Sequence, residues 1–212
     1  MPGAKLAETI RREQIVGAAY DLATRGGLRS VTIRDVARRS EISTGLVLFH
    51  FRTKERLVLA LLDSVVAQTT ALSLGDAITS IADPLDRLIA LLRQEMGRLS
   101  TEPKRNRLFF EFWNEGMWNR AIRVRIQHEL DAYREAFRPM AAAVIAEDPA
   151  RFDGIAASDL AAVAVSFIKG CAVQSMVEPN LDTAGFLRAA ETLLAARGTR
   201  ESLANLTDAL AS

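Results

Sequence analysis

The chain has 212 residues, of which 49% are hydrophobic and 25% charged, and its formal net charge is +1. That balance fits one or two globular domains with a sizeable core and argues against a disordered chain. A single cysteine, Cys171, excludes an intrachain disulfide framework, and two histidines leave few ligands for a transition metal. No metal and no cofactor is expected. Purely apolar runs fall short of the ~18–20 residues that span a bilayer. The N-terminus has no apolar leader, so the expected protein is cytoplasmic with no membrane attachment.

The charge is uneven. Residues 1–60 carry eleven Lys/Arg against six Asp/Glu, and the remainder is mildly acidic. A basic head on an acidic body suits a polyanion-binding module, although solvated helix faces produce the same excess.

In chain order, Ile10, Ile15, Ala18, Ala19 and Leu22 predict a helix over Glu8–Arg25, stopped by Gly26-Gly27. Thr32 has the chemistry of an N-cap, with Asp35 three residues on, and opens a short helix Ile33–Arg39 with Val36 and Ala37 inward. Ser40-Glu41-Ile42 reads as a tight turn. Ser43 is the next N-cap, for a helix from Thr44 to about His50, and Thr53 another, for a long apolar helix from Leu57 to about Leu74. Pro84 and Pro103 suit first turns of helices to about Leu99 and Trp118. Asn119 caps a helix over Arg120–Glu147, which Pro139 should kink or split. Ser158 is the expected cap of an Ala/Val-rich helix ending before Glu178, and Asp182 that of a last helix to about Arg197. Leu203, Leu206 and Leu210 leave the tail 199–212 either a weak helix or disordered. No strand alternation and no solenoid repeat appears, so the class is all-α, with about nine helices.

Two short helices joined by a tight turn inside a basic three-helix head match the plan of a helix-turn-helix. Ser43, Thr44 and Gly45 make the start of the second helix small enough for a major groove. Arg34 suits a base edge or a phosphate, and Thr53 and Lys54, at a helix start, suit a phosphate.

Val31-Thr32-Ile33-Arg34-Asp35-Val36-Ala37, Ile42-Ser43-Thr44-Gly45 and Phe49-His50-Phe51-Arg52-Thr53-Lys54-Glu55-Arg56-Leu57 resemble the signature of TetR-family transcriptional regulators. The Ser-Thr-Gly variant with Phe51-Arg52 is similar to the BetI-like subgroup. Leu108-Phe109-Phe110-Glu111-Phe112-Trp113 and Met176-Val177-Glu178-Pro179 extend that likeness more loosely. The resemblance implies a homodimer of all-helical subunits, with a helix-turn-helix DNA-binding domain at 1–53 and a ligand-binding, dimerising domain at 54–198. It also implies a palindromic double-stranded DNA operator and a small-molecule effector. Positions matching Thr32, Arg34, Thr44, Gly45, Leu46, Leu48, Phe49, His50 and Lys54 face DNA in the family. Leu48 departs from the usual Tyr and has no hydroxyl for a phosphate. Leu46 and Phe49 suit thymine methyl groups, whereas Val47 and Phe51 suit the core.

In the body, Phe109, Phe110, Phe112, Trp113 and Trp118 fall within ten residues. Such a stripe is core by default, and part of it suits the wall of an apolar ligand cavity. The candidate ligand residues are Phe109, Phe110, Trp113, Asn114, Met117, Phe137, Phe167, Cys171 and Gln174. Cys171 reads first as a small buried hydrophobe. The resemblance places the last two helices in a four-helix subunit interface, through Leu160, Ala164, Ile168, Phe186, Leu187, Ala190 and Leu194; intrachain core is the alternative. The expected function is a ligand-responsive transcriptional regulator, a repressor released from its operator, and not an enzyme. The rival readings are an all-α enzyme or carrier for an apolar molecule, for which no metal spacing or phosphate-binding glycine loop is present, and an adaptor with no DNA role.

Overall fold

The computed structural model describes residues 2–69, 75–178 and 180–195. The chain runs α1 (Pro2–Gly26), a 3-10 turn (Leu28–Ser30), α2 (Ile33–Arg39), α3 (Thr44–Phe51), α4 (Lys54–Thr69) and α5 (Asp76–Thr79). It continues through α6 (Pro84–Thr101), α7 (Pro103–Gly116), α8 (Arg120–Glu147), α9 (Ala157–Val177) and α10 (Thr183–Ala195). Among the described residues there are ten α-helices and no strand; the addition to the expected nine is α5, a single turn after Gly75. The expected tail 199–212, and the ends expected at Leu74 and Arg197, lie outside the described residues.

The capping chemistry explains most boundaries. Thr32 accepts from the Asp35 amide, Ser43 from Leu46, Asn119 from Ala121 and Ile122, and Asp182 from Gly185. Thr53 caps α4 through the Arg56 amide. Asp83 caps α6, one residue before Pro84. Ser158 does not cap α9: the helix begins at Ala157, and Ala156 before it brings no side-chain hydrogen bond. Pro139 does not split α8, which runs unbroken for 28 residues. Pro139 is exposed, on the outer side of the helix.

Two apolar clusters divide the interior. One joins the head to the near part of the body. Ile15 and Ala19 of α1, Val36 of α2, Val47 and Phe51 of α3 and Leu57, Leu61 and Leu62 of α4 pack with Leu108, Phe109 and Phe112 of α7 and Ile122 and Ile126 of α8. The head and body proposed from sequence at residue 53 therefore share one core. The other cluster fills the far body with Leu88, Leu91 and Leu92 of α6, Tyr133 and Phe137 of α8 and Leu160, Val165 and Ile168 of α9. One described helix, α9, is long and apolar enough to cross a membrane by length and composition, with mean hydropathy 1.7 over its best window; here Leu160, Ala161, Ala164, Val165, Ile168, Cys171 and Ala172 are buried against the rest of the chain.

Candidate nucleic-acid interface and ligand site

The helix-turn-helix is held from behind by α1. Gln14 donates to the Ser40 carbonyl at 2.9 Å, and Arg12 donates to the His50 carbonyl at 2.6 Å while its guanidinium lies 4.4 Å from the centre of the Phe51 ring. Arg39 pairs with Asp21 at 2.5 Å. The turn itself needs a left-handed residue, and Glu41 fills that position with φ 56°. Ser40 is buried and donates to the Val36 carbonyl, and the Ile42 amide reaches Ala37. The two short helices are thus fixed as a pair.

What they leave in solvent is small at the start of α3 and apolar further along. Arg34, Ser43, Thr44, Gly45, Leu48, Phe49 and Lys54 are all exposed, Phe49 to 70%. Val47 and Phe51 are buried. Thr32 is half-buried and engaged at its cap, its hydroxyl also donating to the Asp35 carboxylate at 2.6 Å. Leu46 is half-buried, unlike its exposed neighbours Gly45 and Leu48. His50 is half-buried against Phe49, ring centres 5.3 Å apart, with an enclosed Nδ1 that has no hydrogen-bond partner in the chain.

The nine ligand candidates do not converge on one wall. Phe109, Phe110 and Trp113 form a stack with centroid distances of 5.4 to 5.9 Å, on the cluster shared with the head. Phe137, Phe167 and Cys171 belong to the far cluster. Burial pushes the Cys171 thiol up from its usual range, which disfavours a reactive thiolate. Asn114, Met117 and Gln174 are exposed. Of the residues assigned to a subunit interface, Leu160, Ala164, Ile168 and Leu187 are buried within the chain. Leu160, Ala164, Phe186, Ala190 and Leu194 line an open apolar groove of about 350 Å³ between α6, α9 and α10, with the exposed Val163 and Leu193.

Sequence reasoning missed what joins the two clusters. Lys169 of α9 places Nζ 4.5 Å from the ring centre of Phe109, in the near cluster, and 4.8 Å from that of Tyr133, in the far one. Tyr133 donates to Glu95 at 2.6 Å, and Arg98 pairs with the same carboxylate at 3.3 Å. Glu129 and Arg105 are buried nearby, and Arg105 pairs with Glu102. Burial and Glu95 push the Tyr133 phenol well above its usual range. Lys169 was legible in one respect: it is the only charged side chain between Leu160 and Val177.

A second link runs from head to body. Glu111 of α7 accepts from the Leu28 amide at 2.8 Å. Gly27, with φ 73°, lets the chain approach: a Cβ there would stand 3.2 Å from the Glu111 carboxylate.

Residues 15–61 match the family model of bacterial regulatory proteins of the tetR family, and residues 84–199, more than half of the chain, match that of the BetI-type transcriptional repressor C-terminal region. The chain belongs to the TetR family. This TetR-family chain is 30% identical over 128 residues to the HTH-type transcriptional regulator BetI of Paraburkholderia phymatum, and 28% identical over 128 residues to that of Burkholderia ambifaria. The matches cover 60% of the chain and 64% and 65% of those relatives. Its fold is similar to that of a TetR transcription regulator from Haloarcula marismortui, with TM-score 0.71 and 20% identity over 88% of this chain and 97% of that one. It is also similar to a transcriptional regulator from Saccharomonospora viridis in complex with choline, with TM-score 0.68 and 21% identity over 87% and 94% of the two chains. FadR from Bacillus subtilis in complex with stearoyl-CoA gives TM-score 0.69 and 15% identity over 88% and 99%.

Proposed function

We propose that this TetR-family chain is a ligand-responsive, DNA-binding repressor that works in the cytoplasm as a homodimer on a palindromic operator. The observation that carries the reading is the surface of α3: a start built of Ser43, Thr44 and Gly45, exposed, flanked by the exposed cations Arg34 and Lys54 and followed by the exposed Phe49. Small residues admit the helix to a major groove, Arg34 suits guanine or phosphate, and Phe49 suits a thymine methyl group. The apolar groove along α9 and α10 supports pairing with a second copy, which would set two heads about 34–36 Å apart or more, the repeat of a palindromic site.

An effector entering the body must favour the state that does not bind DNA, or it shifts nothing. Two connections support a path to the head: α4, continuous from Lys54, and α7, whose Glu111 grips the 3-10 turn ahead of α2. The test is binding to the DNA upstream of the protein's own gene against excess unrelated competitor. Tight binding that survives the competitor, and that Arg34→Ala weakens, is the predicted result. Binding equal for any DNA contradicts the reading.

A further inference from the structure

The most exposed large apolar side chain among the described residues is Trp118, at 84%, and Met117 beside it stands at 57%. Both lie in the turn between α7 and α8, and the turn is pinned. The Arg123 guanidinium donates to the carbonyls of Gly116 at 2.9 Å and Met117 at 2.7 Å, the Trp118 amide reaches the Glu115 carbonyl, and Asn119 caps α8. Gly116 lets the turn close on α8, because a Cβ there would stand 3.4 Å from the Arg123 Cα. A ring held in solvent this way adds little burial to the fold and has little freedom left to lose on meeting a partner. The turn forms one lip of a cleft of about 550 Å³, with Asn119 and Ala121, and the head forms the other, with Arg29 and Lys54. Charge around the cleft is in excess on one side. The cations Arg29, Lys54, Arg120 and Arg123 are exposed, against the exposed acids Glu55 and Glu115, while Glu111 is engaged by the Leu28 amide. Among the described residues Arg29, Lys54 and Arg120 form no ion pair with a carboxylate.

We propose that the turn between α7 and α8 is a second contact to the backbone of the bound DNA, with Arg120 on a phosphate and the Trp118 ring against the neighbouring sugar. The proposal rests on the reading that the head binds DNA. Continuity with the head surface selects the partner: Lys54, assigned to a phosphate, lines the same cleft as Asn119 and Ala121, so a strand lying on Lys54 crosses the cleft mouth to the second lip. The chemistry agrees. Arginine and backbone-adjacent polar groups bind phosphate without regard to sequence, and indole offers an apolar face to deoxyribose and one N–H to an oxygen. A second copy is a poorer partner, because the same turn met across a two-fold axis would set Arg120 and Arg123 against their own kind. The contact also puts the body itself on the DNA. A shift of α7 and α8 relative to the head then breaks a DNA contact directly, besides tilting α3.

The test uses the full chain and the DNA upstream of its own gene, over a salt series. Arg120→Ala should lower the salt slope by about one, and the double variant with Lys54→Ala by about two. Arg120→Lys, which keeps the charge, should hold the slope of the unmodified chain. Acrylamide quenching of tryptophan fluorescence should fall when the DNA binds, and Trp118→Phe, which leaves only the half-buried Trp113, should remove that fall. Arg120 and Trp118 are exposed, so these variants keep the fold. A slope that drops in Lys54→Ala and stays unchanged in Arg120→Ala, or a Trp118 quenched equally with and without bound DNA, overturns the proposal and leaves the DNA reading standing. Shielding of Trp118 that grows with protein concentration in the absence of DNA, with no further change on adding DNA, assigns the turn to a second copy and overturns it too. Binding by the unmodified chain that is equal for any DNA sinks the DNA reading itself, and this proposal with it.

Discussion

In the head, Arg34, Arg38, Lys54 and Arg56 stand in solvent around a core of Ile15, Ala19, Val36, Val47 and Phe51, and no charged side chain described there is buried. In the body, Glu95, Arg105 and Glu129 are buried and Lys169 lies between two aromatic rings. A surface that meets a polyanion keeps its cations hydrated until they are used, so the fold bears little cost for them. An internal polar layer costs stability in every state that lacks a full set of partners, and so makes the packing around it sensitive to what binds. The contrast separates a head that keeps its charges in solvent from a body that buries several of them.

The comparison breaks most visibly in the shared core. Phe112 is fully buried where α7 meets the head, and Phe112→Ala should cost about 3–5 kcal/mol in denaturant unfolding. Phe49→Ala, at an exposed ring, should change stability by less than about 0.5 kcal/mol yet weaken operator binding. Equal effects on stability would mean that the head surface is not the open face described. The link between the regions comes next. Glu111→Ala removes the carboxylate that holds the Leu28 amide and should cost about 1.5–3 kcal/mol, with faster hydrogen exchange at Leu28; Glu111→Gln, which keeps an acceptor, should restore much of it. The smallest effect lies in the turn. Glu41 sits in the left-handed region, where an L side chain costs about 1–2 kcal/mol, so Glu41→Gly should raise stability by up to about 1 kcal/mol after the entropy of glycine is offset.

The head was legible because its information is local. Thr32, Ser43 and Thr53 cap within three residues of themselves, and the inward Val36, Ala37, Val47 and Phe51 follow from helical period alone. The body was legible as helices and much less as a site. Glu95, Arg105 and Glu129 lie on amphipathic helices, where a charge normally reads as solvated, and their burial depends on contacts among α6, α7, α8 and α9 that no local pattern carries. The aromatic stripe of α7 drew attention for the right reason, its apolarity, but Phe109 and Phe112 belong to the cluster that the body shares with the head. Ser158 shows the limit of cap reading: the cap position fell two residues earlier, at Ala156, so the hydroxyl lies inside the helix.

The central claim is that the exposed face around α3 reads DNA through a phosphate framework that includes Lys54. The most direct measurement is operator affinity over a salt series for the wild-type chain and for Lys54→Ala. The account predicts specific binding with a steep salt slope, uniformly weakened by the substitution and with the slope reduced by about one. Weak binding to any sequence, or a slope unchanged in Lys54→Ala, would contradict it.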